Sequence, residues 1–146
     1  MVLAEGLPPE YICCKNKKII ENSFQLEKIK NTFITTMKID SNINFGLSDW
    51  EKVIAERHSG TTGFATWKVL NFGDVRVRMV EYSENYLADH WCQKGHFIFC
   101  IEGEMTTELK DGRKFVLKKG MTYQVGDNSD AHKSYSEKGC KIFIVD

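Results

Sequence analysis

The chain has 146 residues, and its 20 Lys plus Arg balance 20 Asp plus Glu, so it is formally neutral at pH 7. Without a net basic field to attract them, neither nucleic acid nor an anionic membrane surface is an expected partner, and no run reaches the roughly 18 to 20 apolar residues of a membrane-spanning helix. The length suits one domain with one core, and five cysteines, with Glu5, Pro8 and Pro9 where a signal peptide needs an apolar run, point to a reducing, cytoplasmic setting without a disulfide framework.

Residues 1–36 read as an N-terminal extension, helical or loosely ordered, ahead of a single domain over residues 37–146. Pro8-Pro9 breaks any early element, and Ile19, Phe24, Leu26, Ile29 and Phe33 could mark a short helix between Ile19 and Thr36. Cys13-Cys14 fall in this extension. Asp40-Ser41-Asn42 carries turn chemistry, and Ser48-Asp49 could cap a brief helical turn around Trp50. The two glycines of His58-Ser59-Gly60-Thr61-Thr62-Gly63 predict a loop, with His58 solvated in it.

From Gly63 onward the pattern is short strands separated by turns every 8 to 12 residues or so. Val75-Arg76-Val77-Arg78-Met79 alternates and puts Val75, Val77, Met79 and Glu81 on one face. Ser83-Glu84-Asn85 predicts a turn that returns the chain to a strand over Ala88–Cys92, and another strand starts at His96. Thr106–Leu109 and Lys114–Leu117 flank Lys110-Asp111-Gly112-Arg113, where Asp-Gly signals a hairpin. Met121–Val125 and Lys141–Val145 complete the set, and no helix of usual length is expected after about residue 60. An all-β jelly-roll barrel follows, of a size that holds one ligand site.

Four residues could bind a metal. His90 and Cys92 are two apart, and in a strand such residues project from one face. Lys94-Gly95 permits a turn or bulge, His96 opens the next strand, and His132 opens another after the turn-rich Gly126–Ala131. Taken singly, such residues pack in cores more often than they ligate metals; the joint spacing is what points to a site. Imidazole and thiolate suit zinc, with iron or nickel as alternatives, whereas calcium would want carboxylates. All four could close a tetrahedron, or one position could stay open to water or substrate.

Strand alternation turns Ile98 and Cys100 inward with His96, and Ser134 with His132, around a small, largely apolar pocket. Glu81, placed inward with Met79, is the one carboxylate near it. It is a candidate general base or partner to a ligand histidine, although an unpaired Glu is more often at an exposed edge. Trp91, Phe97 and Phe99 alternate with the ligands and should point away, as an aromatic strip that favours a homodimer.

The segments resemble the cupin superfamily, whose first motif carries two histidines, a glutamate and a closing glycine, and whose second carries a glycine and a further histidine. His90 falls on the first histidine, Cys92 on the second, His96 on the glutamate and Gly103 on the closing glycine; Gly120 and His132 fall on the second motif. Cys92 and His96 depart from the usual residues, Gly126 stands where proline is usual, the loop before His132 is longer, and Ser136 replaces an asparagine. The usual three-His, one-Glu set becomes three His and one Cys. The chain looks closer still to small bacterial cupins of the DHCW-motif group, through Asp89-His90-Trp91-Cys92, Lys94-Gly95-His96, Glu102-Gly103-Glu104 and Gly120–Val125, over about residues 43–146. That resemblance implies a fold and a metal site and supplies no reaction. Three functions remain open: a metal-binding or small-molecule-binding cupin, a metal-dependent oxygenase or isomerase, and a metal-free interaction domain.

Overall fold

The computed structural model describes residues 39–146. Nine strands follow in order: β1 (Ala55–Ser59), β2 (Phe64–Phe72), β3 (Val75–Tyr82), β4 (Tyr86–Leu87), β5 (His96–Leu109), β6 (Lys114–Lys118), β7 (Thr122–Val125), β8 (His132–Ser136) and β9 (Cys140–Val145). Among the described residues there is no helix, so none is long and apolar enough to cross a membrane.

The strands pair in the order β1-β2-β3-β9-β5-β8-β4, with β6 and β7 also paired to β5, and every ladder is antiparallel. β5 organises the barrel. Its first part pairs with β7 and β9, its second with β6 and β8, and the register shifts between Cys100 and Glu102. Gly103, at φ 73°, follows that irregularity, and a Cβ there would lie 2.6 Å from the Gly139 carbonyl oxygen. A bulge with glycine bends one long strand from sheet to sheet.

The core is filled by alternation. Cys140, Ile142 and Ile144 of β9, His96, Ile98 and Cys100 of β5, and His132, Ser134 and Ser136 of β8 are buried while residues between them are not. Val80, Met105 and Leu117 complete the packing, each burial worth about 1.5–3 kcal/mol. His96 and His132 are thus the first inward-facing residues of two rigid strands.

Four expectations are corrected. The inward residues of β3 are Arg78 and Val80, both buried, so Glu81 faces out and Met79 lies with it. The apolar pattern misleads there because the outer face also carries apolar side chains, with Trp50 edge-on to Phe143 at 6.0 Å. The expected Ala88–Cys92 strand ends at Leu87, and only an isolated bridge joins Cys92 to His132. His58 belongs to β1, pairs with Ala65 and stacks on Trp67 at 4.2 Å, so it is half-buried rather than solvated in a loop. Around Trp50 the chain makes a turn, with Asp49 accepting from the Glu51 and Lys52 amides, rather than helix. The turn at Asn85, φ 53°, and the β5–β6 hairpin with Gly112 at φ 91° are as expected. The helix expected over Ile19–Thr36 and the pair Cys13-Cys14 lie outside the described residues.

Candidate metal centre

Cys92, His96 and His132 converge, with one donor atom from each lying within 4.8 Å of the others. Two backbone hydrogen bonds tie Cys92 to His132, Cys92 N to His132 O at 2.8 Å and His132 N to Cys92 O at 3.0 Å. This pairing brings the thiol into the barrel although its segment is not a strand. The Nδ1–H of His132 donates to the Asp130 carbonyl at 2.8 Å; a carbonyl can only accept, so Nε2 keeps its lone pair. That atom lies 2.9 Å from Nε2 of His96, and the Tyr123 hydroxyl is 3.4 Å from the same His96 nitrogen.

The shifts at His96 and Cys92 favour the forms that ligate a metal. Burial pushes His96 down to about 4, assisted by His132 and Arg78, so near neutral pH its imidazole is uncharged and can donate electrons. The interaction with His132 pulls the Cys92 thiol below its usual value against the effect of burial. For His132 burial alone would lower the pKa, but Cys92 and the Asp130 carbonyl outweigh it and the net shift is upward. One thiolate and two imidazoles, one of them oriented by a carbonyl on its far nitrogen, fit a late first-row metal ion.

His90 stays apart from these three. Its side chain is 71% exposed and its Nδ1 lies 2.6 Å from Asp89 Oδ1. It lines the same cavity as Cys92, His96 and His132 without joining their donor set. His90 and Cys92 would share a face in a strand, but their segment pairs only through the isolated bridge at Cys92. Glu81, expected beside the pocket, is on the outer face and pairs with Lys141 at 3.0 Å.

Sequence reasoning missed Arg78. Its guanidinium is buried beside the centre and pairs with Asp146 at 2.5 Å, while Arg76 grips the same carboxylate at 2.7 and 2.9 Å. Burial alone would raise Asp146, but the two arginines hold it below the usual carboxylate range. The available signal was parity, since Arg78 shares its face with Val80 and Tyr82. Two cavities flank His132. One, of about 90 Å³, contains the donor set together with Trp67, Arg78 and Tyr82; the other, of about 240 Å³, lies towards Thr107, Phe115 and Val125.

This two-sheet barrel with histidines at the strand starts is the cupin fold. The described structure is similar to the polyketide cyclase RemF from Streptomyces resistomycificus, with a TM-score of 0.60 and 20% identity over 70% of this chain and 78% of that one. It is also similar to ectoine synthase from P. lautus, TM-score 0.57 and 15% identity over 69% and 76% of the two chains. An RmlC-like cupin from Shewanella frigidimarina gives a TM-score of 0.54 and 16% identity over 75% and 92%. No family model matches the sequence, and no curated protein matches it. At these identities the likeness carries the fold and no activity.

Proposed function

We propose that this protein is a small cytoplasmic metal-binding cupin of the DHCW kind. It holds one divalent transition-metal ion, zinc before iron or nickel, through Cys92, His96 and His132. The observation that carries this reading is the convergence of three donor atoms within 4.8 Å of one another, with His132 already turned by Asp130 so that Nε2 faces the other two. When bound, such an ion supplies a Lewis-acidic position for a small ligand. Cys92 serves as the charged donor, its thiolate favoured by the neighbouring imidazole. His90, which lines the same cavity, is the remaining candidate for the three-His, one-Cys set; without it the fourth position stays open to the cavity.

A catalytic role, as oxygenase or isomerase, is favoured by one further observation. The Tyr123 hydroxyl, whose pKa burial pushes up to about 12, stands 3.4 Å from His96 Nε2 as a neutral proton carrier facing the cavity. Glu81, the carboxylate expected as general base, is elsewhere, which leaves the imidazole of His90 as the base lining the cavity outside the donor set. The outer sheet face supports a homodimer: Val77, Val145 and Phe97 form one cross-strand row and Met79, Phe143 and Phe99 the next, an apolar strip of the kind that second copies cover.

Elemental analysis of the purified full-length chain tests the centre. About one metal per chain is expected, lost in Cys92→Ala, His96→Ala and His132→Ala. Wild-type protein that takes up no metal on reconstitution would refute the reading, and His90→Ala separates a closed four-residue site from an open one.

A further inference from the structure

Besides Nδ1 of His96, two buried side-chain nitrogens beside the centre have no partner among the described residues. They are the Nε1–H of Trp67 and the Nε–H of Arg78. Arg78 is only 6% exposed, and its guanidinium satisfies another of its nitrogens on Asp146. Its Cζ lies 4.6 Å over the Trp67 ring, so the two side chains pack together, and both residues line the cavity that holds Cys92, His96 and His132. Buried N–H groups in folded proteins are almost always paired, with protein, water or ligand. An unpaired guanidinium N–H next to a cavity asks for an acceptor.

Arg78 and Lys133 line that cavity together with the Cys92 thiol, and no Asp or Glu does. Apart from the Ser134 hydroxyl, the remaining walls are aromatic and aliphatic, Tyr82, Ala88, Ile98 and Ile144 among them. The volume of about 90 Å³ leaves room for roughly six non-hydrogen atoms. A phosphate dianion would need more donors than this wall offers, whereas a carboxylate presents two oxygens in one plane and an apolar tail to the rest.

We propose that this cavity binds a small monocarboxylate, whose oxygens accept from Trp67 Nε1 and Arg78 Nε while its carbon chain lies towards the metal centre. This deepens the reading above by naming the ligand class of the same site, and it rests on that reading only for the role of the metal. The carboxylate supplies the acceptors the two donors lack, and its desolvation is offset by charge-assisted hydrogen bonds. Arg78 is then the specificity-determining residue and Trp67 its partner.

The test is calorimetric titration of the full-length protein, zinc-loaded and chelator-treated, with sodium acetate and with neutral acetamide at constant ionic strength. Acetate is expected to bind at least about tenfold more tightly than acetamide. Trp67→Phe, which keeps an aromatic ring and removes only the N–H donor, should weaken acetate binding by about tenfold while leaving metal content unchanged. Arg78→Lys should weaken it further; because that residue is buried, Trp67→Phe carries the test if the lysine variant does not fold. Equal affinity for acetate and acetamide, full acetate affinity in Trp67→Phe, or tighter binding of inorganic phosphate than of acetate would each overturn the proposal, whatever the metal content. Conversely, Trp67-dependent acetate binding by protein that takes up no zinc would keep the anion site and remove the metal.

Discussion

Two regions bring candidate ligands to this barrel, and they do so by different means. His96 and His132 open strands β5 and β8, where alternation alone turns them inward and burial holds them. The segment between Leu87 and His96 carries His90 and Cys92 without regular pairing. Only Cys92 reaches the centre, because its backbone is tied to His132 by two hydrogen bonds. His90, two positions earlier, is 71% exposed and satisfied by Asp89. Side-chain direction is a property of the backbone ladder, and where the ladder stops a two-residue spacing no longer predicts a shared face.

The largest effect should come from the rigid side. Asp146→Asn leaves Arg78 buried without its charge partner, and breaking such a pair costs about 3–5 kcal/mol, measurable by urea unfolding. The same carboxylate gives a pH signature. Its folded pKa is depressed, so its contribution is complete above the unfolded value of about 4 and is lost as pH falls through the folded one. Wild type should therefore weaken steeply below about pH 4, and the Asn variant with a shallower slope. An unchanged slope would show that Arg78 is held by something other than this pair.

Metal affinity sharpens the contrast next. His96→Ala and His132→Ala should each lower it by more than about 100-fold, beyond what losing a supporting partner costs. His90→Ala should lower it by less than about tenfold if the open site is correct. A competition assay with a chromophoric chelator reads each variant, and a loss on His90→Ala equal to that on His96→Ala would mean that the 88–95 segment closes over the metal.

This division also explains what could be read from the chain before its structure. The barrel, the hairpin at Asp111-Gly112, the inward set His96, Ile98, Cys100 and the pairing of Ser134 with His132 were legible because they depend on turn chemistry and period-two alternation. The face of β3 was not. Val75, Val77 and Met79 look like core, yet the buried residues are Arg78 and Val80. An arginine can take an inward position when a carboxylate distant in sequence meets it, and Asp146, 68 positions away, is invisible to any local pattern. Trp67 escaped for a similar reason, since its role depends on Arg78 lying over its ring.

A smaller effect probes the irregular segment itself. A Cβ at Gly95 would lie 2.5 Å from the Asp127 amide nitrogen, a backbone atom that cannot swing away. Gly95→Ala should displace the segment from the Gly126–Asp127 turn, whose Asp127 side chain accepts the Gly95 amide at 2.7 Å. A cost of about 1–3 kcal/mol is expected, with weaker metal binding because Cys92 is carried on the same stretch.

The smallest effect is the most diagnostic of which face matters. Glu81 is 58% exposed and its partner Lys141 is 32% exposed, and a solvated pair of this kind contributes at most about 1 kcal/mol. Glu81→Gln should therefore shift stability by a few tenths of a kcal/mol and leave metal affinity and acetate binding as in wild type. Arg78, three positions earlier on the same strand, should alter all three. If Glu81→Gln instead changed metal or ligand binding, the outer face would be coupled to the centre through the β3–β9 ladder, and the distinction between inward Arg78 and outward Glu81 would no longer separate function from surface.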